Sequence, residues 1–301
     1  MDRLASMSIL LAAVGAGSLS AAARRLGMPL ATVSRKVSEL EGHLRTPLLI
    51  RSSRRLTLTE AGRSYVEACK RILEDVEEAE RAATGEYSAP KGDLVITAPI
   101  VFGRLHILPV VTDFLEAYPE IDVRLVLTDR LVNLFEEHVD LAIRIGELPD
   151  SSMMAIRVGA IRQVTCGSPA YFGARGTPRE PRDLAAHDCV TCEALMSAKV
   201  WTFTKGKSDS SVAIRSRLVV NTAEAAINAA IAGAGITRVL SYQIENARRD
   251  GALAVVLEEF EPAPWPVSLI YRDQAFRPLK LRAFLDFTVP RLKARLSRAG
   301  I

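Results

Sequence analysis

Apolar residues recur at helical spacing in three short segments at the start of the chain. A helix over residues 4–14 has one apolar face, and an alanine-rich helix over residues 19–26 follows it, with Ser18 as its N-cap. A turn at residues 27–29 contains a glycine and a proline, and a third helix is predicted over residues 30–44. Two helices joined by a tight glycine-containing turn predict a helix-turn-helix.

The third predicted helix has two faces of different chemistry. Its apolar residues fall within one narrow sector and form a core face: Val33, Val37, Leu40 and Leu44. The opposite sector is small and polar and has one long cation, whereas an ordinary surface helix usually has Glu and Lys there. This pattern indicates a helix that lies in the major groove of double-stranded DNA. The residues expected to contact DNA from the second and third helices are Ser18, Ala31, Thr32, Ser34, Arg35, Lys36 and Ser38.

Two short β-like runs follow, at residues 47–50 and 56–59, and they bracket a basic segment. The segment contains Arg51, Arg54 and Arg55 and is predicted to be the tip of a hairpin. Such a wing reaches DNA phosphates or the adjacent minor groove. A helix-turn-helix alone is a weak sequence signal, but a helix-turn-helix followed by a basic wing is a specific one.

The distribution of charge also favours a polyanionic partner for this part of the chain. The whole chain has a net charge of +4. Residues 1–65 have ten Arg and Lys against four Asp and Glu, which gives +6. Residues 66–90 have three against seven, which gives −4. The basic head therefore predicts nucleic-acid binding for the first 65 residues only.

A long helix is predicted over residues 59–84, and its apolar residues form one narrow stripe. The stripe alternates spacings of four and three, as in a coiled coil, through Tyr65, Cys69, Ile72, Val76, Ala79 and Ala83. Because one narrow stripe cannot bury itself, it predicts a homodimer. Two recognition helices related by a two-fold axis then read a pseudo-palindromic site. The alternative is a helix that packs against its own domain.

After a linker at residues 88–92 the pattern changes to alternating strands and helices. This alternation predicts a mainly parallel sheet with helices on both faces. The predicted strands are 94–98, 123–128, 141–145, 162–166, 189–193, 213–220 and 267–271, and the predicted helices are 104–118, 131–138, 222–232, 241–249 and 278–297. Ligands of such sheets bind beyond the carboxyl ends of the strands, which places the loop at residues 99–103 beside residues 144–146.

Candidate chemistry elsewhere is sparse. The four cysteines include one C-x-x-C pair, Cys189 and Cys192, which is either a redox switch or two small buried hydrophobes. The four histidines show no metal-ligand spacing, and nucleophile-elbow, zinc-protease and phosphate-loop motifs are absent from the sequence. We therefore expect no metal, no cofactor and no enzymatic activity.

Segments of the first 62 residues carry a family resemblance. In order along the chain, GSLSAAA at 17–23, VSRKV at 33–37, LE at 40–41 and LTLTEAG at 56–62 resemble the N-terminal signature of LysR-type transcriptional regulators. The resemblance implies that Ser34 and Arg35 contact DNA, with Thr32 at the helix entry and Arg54 in the wing. Leu30 departs from the family pattern, which often has a polar base-reading residue there. An apolar side chain at this position suits a thymine methyl group.

The resemblance continues through DLAIR at 140–144, SPAY at 168–171 and LKLRAF at 279–284, and so covers essentially the full chain. It implies an α/β fold with a winged helix-turn-helix and a two-lobed effector domain that resembles type 2 periplasmic binding proteins and has Rossmann-like subdomains. The expected domains are a DNA-binding domain at 1–60, a linker and dimerisation helix at 61–88, and an effector domain at 91–301, with lobe I at about 91–162 and 268–301 and lobe II at about 163–267. The effector-binding residues that the resemblance implies are Pro99, Ile100, Val101, Phe102, Arg144, Gly146, Asn221, Thr222, Ile236 and Thr237.

The implied function is effector-controlled, sequence-specific promoter binding by a cytoplasmic homodimer or tetramer. The expected partners are double-stranded DNA, a second copy of the chain and an effector that is a small organic acid or an aromatic compound. RNA polymerase is a further candidate partner, and no membrane association is expected. Two alternative functional classes are less well supported by the sequence. An exported solute-binding protein would have its signal peptide at residues 7–23 but would not need the basic wing. An enzyme built on the two-lobed fold would need an acid–base set, and the sequence shows none.

Overall fold

The computed structural model describes residues 2–51, 56–84, 89–130, 132–134, 137–148, 153–193, 195, 197–206, 208–273 and 277–298. The chain forms two compact units, Met1–Ala89 and Pro90–Ile301. Each unit has hydrophobic clusters of its own, so each is described separately.

Three helices, a hairpin and a long helix make up the first unit. They are α1 (Arg3–Gly15), α2 (Leu19–Leu26), α3 (Leu30–Leu44), the antiparallel strands β1 (Leu49–Arg51) and β2 (Leu56–Leu58), and α4 (Glu60–Thr84). Ser18 caps α2 by accepting a hydrogen bond from the Ala21 amide, and Gly27 ends α2 in a left-handed conformation with φ of 64°. The predicted helix-turn-helix and both strands of the predicted wing are therefore present.

The first three helices share one apolar cluster. Val33, Val37 and Leu40 of α3 are fully buried there, together with Leu10 and Ala13 of α1. Each buried Val or Leu side chain contributes about 1.5–3 kcal/mol relative to an exposed one. This burial fixes the rotation of α3 about its own axis, so its opposite face points away from the cluster.

Polar contacts join α3 to the hairpin. The Glu41 carboxylate accepts hydrogen bonds from the amides of Leu48 and Leu49, at 2.8 and 3.0 Å. The Thr59 hydroxyl donates to the Pro47 carbonyl at 2.8 Å. Side chains on both flanks of the hairpin thus satisfy backbone groups that the short strands leave unpaired.

The second unit contains two five-stranded sheets and a separate hairpin. Its strands are β3 (Gly92–Ala98), β4 (Ile121–Leu127), β5 (Leu141–Ile145), β6 (Met153–Ile161), β7 (Gln163–Gly167), β8 (Asp188–Cys192), β9 (Val200–Lys205), β10 (Ser208–Ala213), β11 (Arg215–Val220), β12 (Ile236–Leu240), β13 (Ala254–Val256) and β14 (Trp265–Arg272). Lobe I has the order β4-β3-β5-β14-β6 and lobe II the order β11-β8-β12-β7-β13. The pair β9–β10 forms the hairpin on lobe II.

Each five-stranded sheet is mixed, where the sequence predicted a mainly parallel sheet. Four strands of each sheet share a direction, and one runs against them: β14 in lobe I and β7 in lobe II. Both exceptions are the first strands after the chain has crossed from one lobe to the other. A strand that enters from the opposite lobe starts at the facing end of the sheet, and its direction is therefore reversed.

The helices of the second unit agree with the sequence only in part. They are α5 (Ile100–Phe102), a π-helical turn at Gly103–Ile107, α6 (Leu108–Ala117), α7 (Pro169–Arg175), α8 (Ala223–Ile231), α9 (Glu245–Arg249) and α10 (Leu279–Arg298). The helix predicted at 131–138 is wrong for its described residues, which form a loop and turns and end at His138 with a left-handed φ of 55°. The helix predicted at 241–249 is divided, since Ser241–Gln243 form a separate 3-10 turn. Strands β6, β9, β10, β12 and β13 and helices α5 and α7 were not predicted.

The chain passes between the lobes at Arg162 and again between Phe260 and Trp265. The Arg162 guanidinium donates to the Glu261 carboxylate at 3.2 Å, so one ion pair joins the two crossings. The second crossing lies slightly earlier than the expected lobe boundary at residues 267–268, because β14 already pairs with lobe I from Trp265.

Among the described residues no single helix is both long and apolar enough to span a membrane. Helices α1 and α2 reach that composition only together, as a pair bent by 117°.

Glu41→Ala is expected to destabilise the first unit by about 1–3 kcal/mol, because it leaves two partly buried backbone amides without their acceptor. Scanning calorimetry of the full chain measures the loss. Glu39→Ala is the matched control on the same helix, since Glu39 forms only an exposed ion pair, and its effect should stay within about 0.5 kcal/mol. Equal losses in the two variants would contradict the role assigned to Glu41.

Candidate functional site

The outer face of α3 presents the residues that the sequence predicts to contact DNA. They are exposed or half-buried: Ala31, Thr32, Ser34, Arg35, Lys36 and Ser38. Leu30, at the first turn, is 49% exposed. Ser18 is half-buried at the N-terminus of α2, where its hydroxyl already accepts a backbone hydrogen bond. The face is thus small, mostly uncharged and free to approach a partner closely.

Arg35 is the longest cation of this face and is paired within its own helix. Its side chain is 64% exposed, and Nη1 lies 3.1 Å from Oε1 of Glu39, one turn further along. Sequence reasoning did not select Glu39, although the spacing of four between opposite charges was a readable signal. An exposed pair of this kind contributes less than about 1 kcal/mol, so Arg35 can exchange Glu39 for another acceptor.

The predicted wing is described only at its base. Strands β1 and β2 pair from Leu49 with Leu58 to Arg51 with Leu56. Arg51 ends β1, whereas Arg54 and Arg55 lie outside the described residues.

The burial of the predicted apolar stripe decreases along α4. Cys69 is fully buried, and Tyr65 packs against the cluster of the first three helices. Burial raises the pKa of the Cys69 thiol. Ile72 is 40% exposed and Val76 is half-buried, while the side chain of Ala79 lies outside the described part of the chain. The first part of the stripe is therefore covered within this chain, as the alternative interpretation expected, and the part from Ile72 onward is partly exposed.

A cavity of about 250 Å³ lies between the two lobes of the second unit. Lobe I and lobe II contribute six lining residues each: Pro99, Thr128, Asp129, Arg144, Ile145 and Trp265 from lobe I, and Cys192, Leu195, Ala223, Leu240, Tyr242 and Gln243 from lobe II. Pro99 follows β3, Thr128 follows β4, and Cys192 and Leu240 end β8 and β12. The cavity thus lies at the carboxyl ends of these strands, the position that alternating strands and helices predict.

Two of the ten predicted effector residues, Pro99 and Arg144, line this cavity. Val101 and Phe102 instead pack in the lobe I cluster, because they lie on the inner side of the turn that leaves β3. Thr222 caps α8 by accepting a hydrogen bond from the Ala225 amide at 3.3 Å. Ile100, Gly146 and Asn221 lie outside the lining.

Ile236 and Thr237 do not line the cavity either. Both are fully buried inside β12, the central strand of the lobe II sheet, with Ile236 beside Cys189 and Thr237 beside Cys166. The strand continues for three more residues before it reaches the cavity at Leu240. The resemblance implied both residues, but they lie inside a strand that the sequence did not predict.

Sequence reasoning missed most of the aromatic and polar lining. Trp265 lies at the second crossing, and a tryptophan at a predicted crossing was an available signal. Tyr242 and Gln243 belong to the 3-10 turn after β12, which the sequence assigned to a helix. Gln243 accepts from the Leu240 amide at 2.9 Å, so its carbonyl oxygen is already held.

Arg144 is the cation of the cavity. It lies on β5, is half-buried, and donates from Nη2 to the Val132 carbonyl at 3.4 Å. Burial lowers the pKa of its guanidinium, and Glu137 opposes that shift. Glu137 itself accepts two hydrogen bonds from Arg130, at 2.5 and 2.6 Å. Since the pair with Arg130 occupies that carboxylate, Arg144 retains donor capacity for an anionic group.

The C-x-x-C pair lies on one strand, β8, and its two thiols point to opposite faces of the sheet. Cys189 packs with Trp201 and Ile236 on one face, and Cys192 packs with Val239 on the other. Side chains three residues apart in a strand point in opposite directions, so these two sulfurs cannot form a disulfide. The structure favours the interpretation as buried hydrophobes over the redox switch.

Both units are similar to known protein families. Residues 4–63 match the bacterial regulatory helix-turn-helix proteins of the lysR family, and residues 88–293 match the LysR substrate binding domain. The HTH-type transcriptional activator AaeR of Escherichia coli is 30% identical over 95% of this chain and 93% of its own length. An HTH-type transcriptional repressor of Pseudomonas aeruginosa is 32% identical over 96% of this chain and 92% of its own length.

Solved structures give the same result over nearly the whole chain. The full-length Vibrio cholerae virulence activator AphB, a member of the LTTR protein family, has a TM-score of 0.61 at 26% identity and covers 95% of this chain and 98% of its own. CrgA, a LysR-type transcriptional regulator from Neisseria meningitidis, has a TM-score of 0.61 at 30% identity and covers the same shares.

The native protein is expected to react slowly with Ellman's reagent, and the protein unfolded in guanidinium should release four equivalents. All four thiols are buried, and burial raises the pKa of Cys166 and Cys189 to about 12, so little thiolate is present at pH 8. Arg124→Cys, on the exposed edge of β4, is the reactive control. Rapid release of two equivalents from the native wild-type protein would reopen the redox interpretation.

Proposed function

The chain belongs to the LysR family of transcriptional regulators and is a DNA-binding regulator with an effector-binding domain, and from this premise we propose which of its residues read DNA and which bind the effector. We propose that α3 lies in the major groove and that Arg35 donates to the O6 and N7 atoms of a guanine. Ser34, Thr32 and Ser38 contact neighbouring base edges or phosphates, and Leu30 packs against a thymine methyl group.

One observation supports this assignment most directly. The apolar face of α3 is fully buried at Val33, Val37 and Leu40, so the outer face is the only one that a duplex can approach. That face has small side chains, which permit close contact with base edges, and one exposed guanidinium. We assign Ala31, Lys36 and Ser18 to supporting contacts around this centre.

The remaining contacts in the proposal set register and symmetry. Arg51, Arg54 and Arg55 contact phosphates or the minor groove and therefore contribute affinity without sequence preference. Two copies of the chain pair through α4, along the stripe of Tyr65, Cys69, Ile72, Val76 and Ala79. The part from Ile72 onward contributes most, since Tyr65 and Cys69 are already covered within one chain. Domain boundaries at residues 60 and 90 and a homodimer or tetramer complete this assembly.

We assign the cavity between the lobes to a small organic acid with an aromatic or apolar body. Arg144 supplies a partly dehydrated cation for the carboxylate, and a guanidinium binds a carboxylate through two parallel hydrogen bonds. Trp265, Leu195 and Leu240 supply apolar surface for the rest of the molecule. The chain then acts in the cytoplasm without catalysis, with DNA, effector and RNA polymerase as its partners.

Arg35→Ala is expected to weaken binding to a DNA duplex selected from a random pool by the wild-type protein. The expected loss is about 1–3 kcal/mol, the contribution of one bidentate guanine contact. Binding to random duplex of the same length should fall less, because a base contact carries sequence information. Fluorescence anisotropy at several salt concentrations measures both. Arg282→Ala, an exposed arginine of the second unit, is the charge-matched control. Equal losses on both duplexes would reduce Arg35 to a phosphate contact.

Arg144→Met should weaken carboxylate binding at the cavity. Benzoate, phenylacetate, butyrate and succinate form the test panel, with benzamide, phenylacetamide and butyramide as uncharged partners. The acids that raise the unfolding temperature of the wild-type protein should bind Arg144→Met at least about 30-fold more weakly, because the carboxylate loses its buried partner. Arg157→Met, an exposed arginine on β6, is the control. Amides that stabilise the protein as well as the acids do would contradict a carboxylate site.

A further inference from the structure

The segment that follows β3 bridges the two lobes beside the cavity. It continues from α5 through the π-helical turn Gly103–Ile107 into α6. Pro109 is the second residue of α6 and has no amide proton to donate to the Leu105 carbonyl, which explains why the preceding turn is wider than an α-helical one. A side chain at Gly103 would collide with Leu127, so the turn is closely packed on β4.

The first contact across the cleft is an ion pair. Arg104, on the π-helical turn of lobe I, donates from Nη2 to Oε1 of Glu224 in lobe II at 2.6 Å. Glu224 lies in the first turn of α8, directly after the cavity residue Ala223. The side chains are 54% and 48% exposed, so the pair lies at the surface rather than in a core.

The second contact across the cleft is aromatic. Phe102 and His106 of lobe I both meet Tyr242 of lobe II edge-on, with ring centroids 5.5 Å apart in each case. Tyr242 also lines the cavity, and it is fully packed among residues of the lobe I cluster. Its ring therefore contacts the π-helical turn on one side and the cavity on the other.

Opening of the lobes affects these two contacts and the two chain crossings differently. The two chain crossings, at Arg162 and between Phe260 and Trp265, are covalent and so connect the lobes in any arrangement. Glu224 follows β11, which is three strands away from β7 in the lobe II sheet, so its pair with Arg104 persists only while the lobes are closed. Tyr242 lies nearer the first crossing, since the amide of the neighbouring Ser241 donates to the Arg162 carbonyl at 2.9 Å, and its contacts with Phe102 and His106 join the lobes on that side. Their combined free energy adds directly to the equilibrium between closed and open forms.

We propose that Arg104–Glu224, together with the stack of Phe102, His106 and Tyr242, is an interlobe latch that holds the lobes closed over the cavity. Arg104 and His106 are then positioning residues for the effector, which they influence through Tyr242 and lobe closure without touching it. This inference rests on the proposed function in one respect, namely that the effector binds between the lobes and so prefers the closed form. The latch sets how much of the protein is binding-competent before the effector arrives.

The latch is tested by the distance between the lobes in the full-length protein. Donor and acceptor dyes are attached at Asp122→Cys in lobe I and Arg248→Cys in lobe II, both exposed positions, while the native cysteines are buried. Labelled chains are mixed with an excess of unlabelled ones, so that single-molecule energy transfer reports one chain. Arg104→Ala and Glu224→Ala should each reduce the closed-to-open ratio by about fivefold, the upper range for an exposed ion pair.

The double variant Arg104→Ala/Glu224→Ala should show no larger effect than either single variant, because one interaction is lost in all three. The exchanged pair Arg104→Glu/Glu224→Arg should restore the wild-type ratio. Arg282→Ala, which removes an exposed cation paired within α10, is the control and should leave the ratio unchanged. An unchanged ratio in both single variants, or no recovery in the exchanged pair, would overturn the ionic part of the latch.

Tyr242→Phe retains the ring and should retain the wild-type closed-to-open ratio, whereas Tyr242→Leu should lower this ratio. Circular dichroism checks the folding of Tyr242→Leu, and if it fails to fold the exposed Arg104 and Glu224 variants still decide the outcome. The affinity of Arg104→Ala for the carboxylate of the test panel that stabilises the wild-type protein most should fall by the same factor as its closed fraction. If no acid of the panel binds, the proposed carboxylate effector is refuted. The closed-to-open ratios of the variants would still test the latch.

Discussion

Burial of one face of α3 is the constraint on which the DNA-binding unit depends. Val33, Val37 and Leu40 are removed from water completely, and a rigid helix that buries one face presents the other in a fixed direction. Glu41 extends this constraint to the hairpin by accepting the amides of Leu48 and Leu49. The recognition surface therefore needs few polar contacts of its own, and its small side chains remain available for a partner.

The pattern of apolar residues predicted the structure correctly wherever contacts between residues near in sequence determine it. The bounds of α3 agree with the prediction, because its apolar period is unbroken and Gly27 ends the helix before it. Strand direction could not be read in this way, since β7 and β14 run against their neighbours only because each enters from the other lobe. The helix predicted at 131–138 failed for a related reason. Its apolar residues Val132 and Leu134 are buried against the sheet by loop and turn structure, which has no period of its own.

The cavity was predictable in position and only partly in composition. Pro99 and Arg144 were found because they follow or end strands of regular alternating units. Ile236 and Thr237 were implied by the resemblance alone and do not line the cavity. Their strand, β12, was not predicted, because all its residues are buried and a uniformly buried strand carries no periodic signal. Trp265 comes from a chain crossing, where tertiary structure alone brings distant residues together.

The strength of the contacts between the lobes decides whether a small molecule can act on them. A ligand shifts a two-state equilibrium only by its difference in affinity for the two states, and a change from 1:99 to 99:1 requires a difference of about 10⁴-fold. An exposed ion pair such as Arg104–Glu224 contributes at most about 1 kcal/mol, and an edge-on aromatic pair about 0.5–1.5 kcal/mol. The ion pair alone therefore leaves both arrangements within reach of a ligand that, under the proposed function, contacts Arg144 and Tyr242 from opposite lobes. The buried ring of Tyr242 adds apolar contact between the lobes, so the exposed Arg104–Glu224 pair is the part of the latch that a ligand or a single substitution shifts most readily.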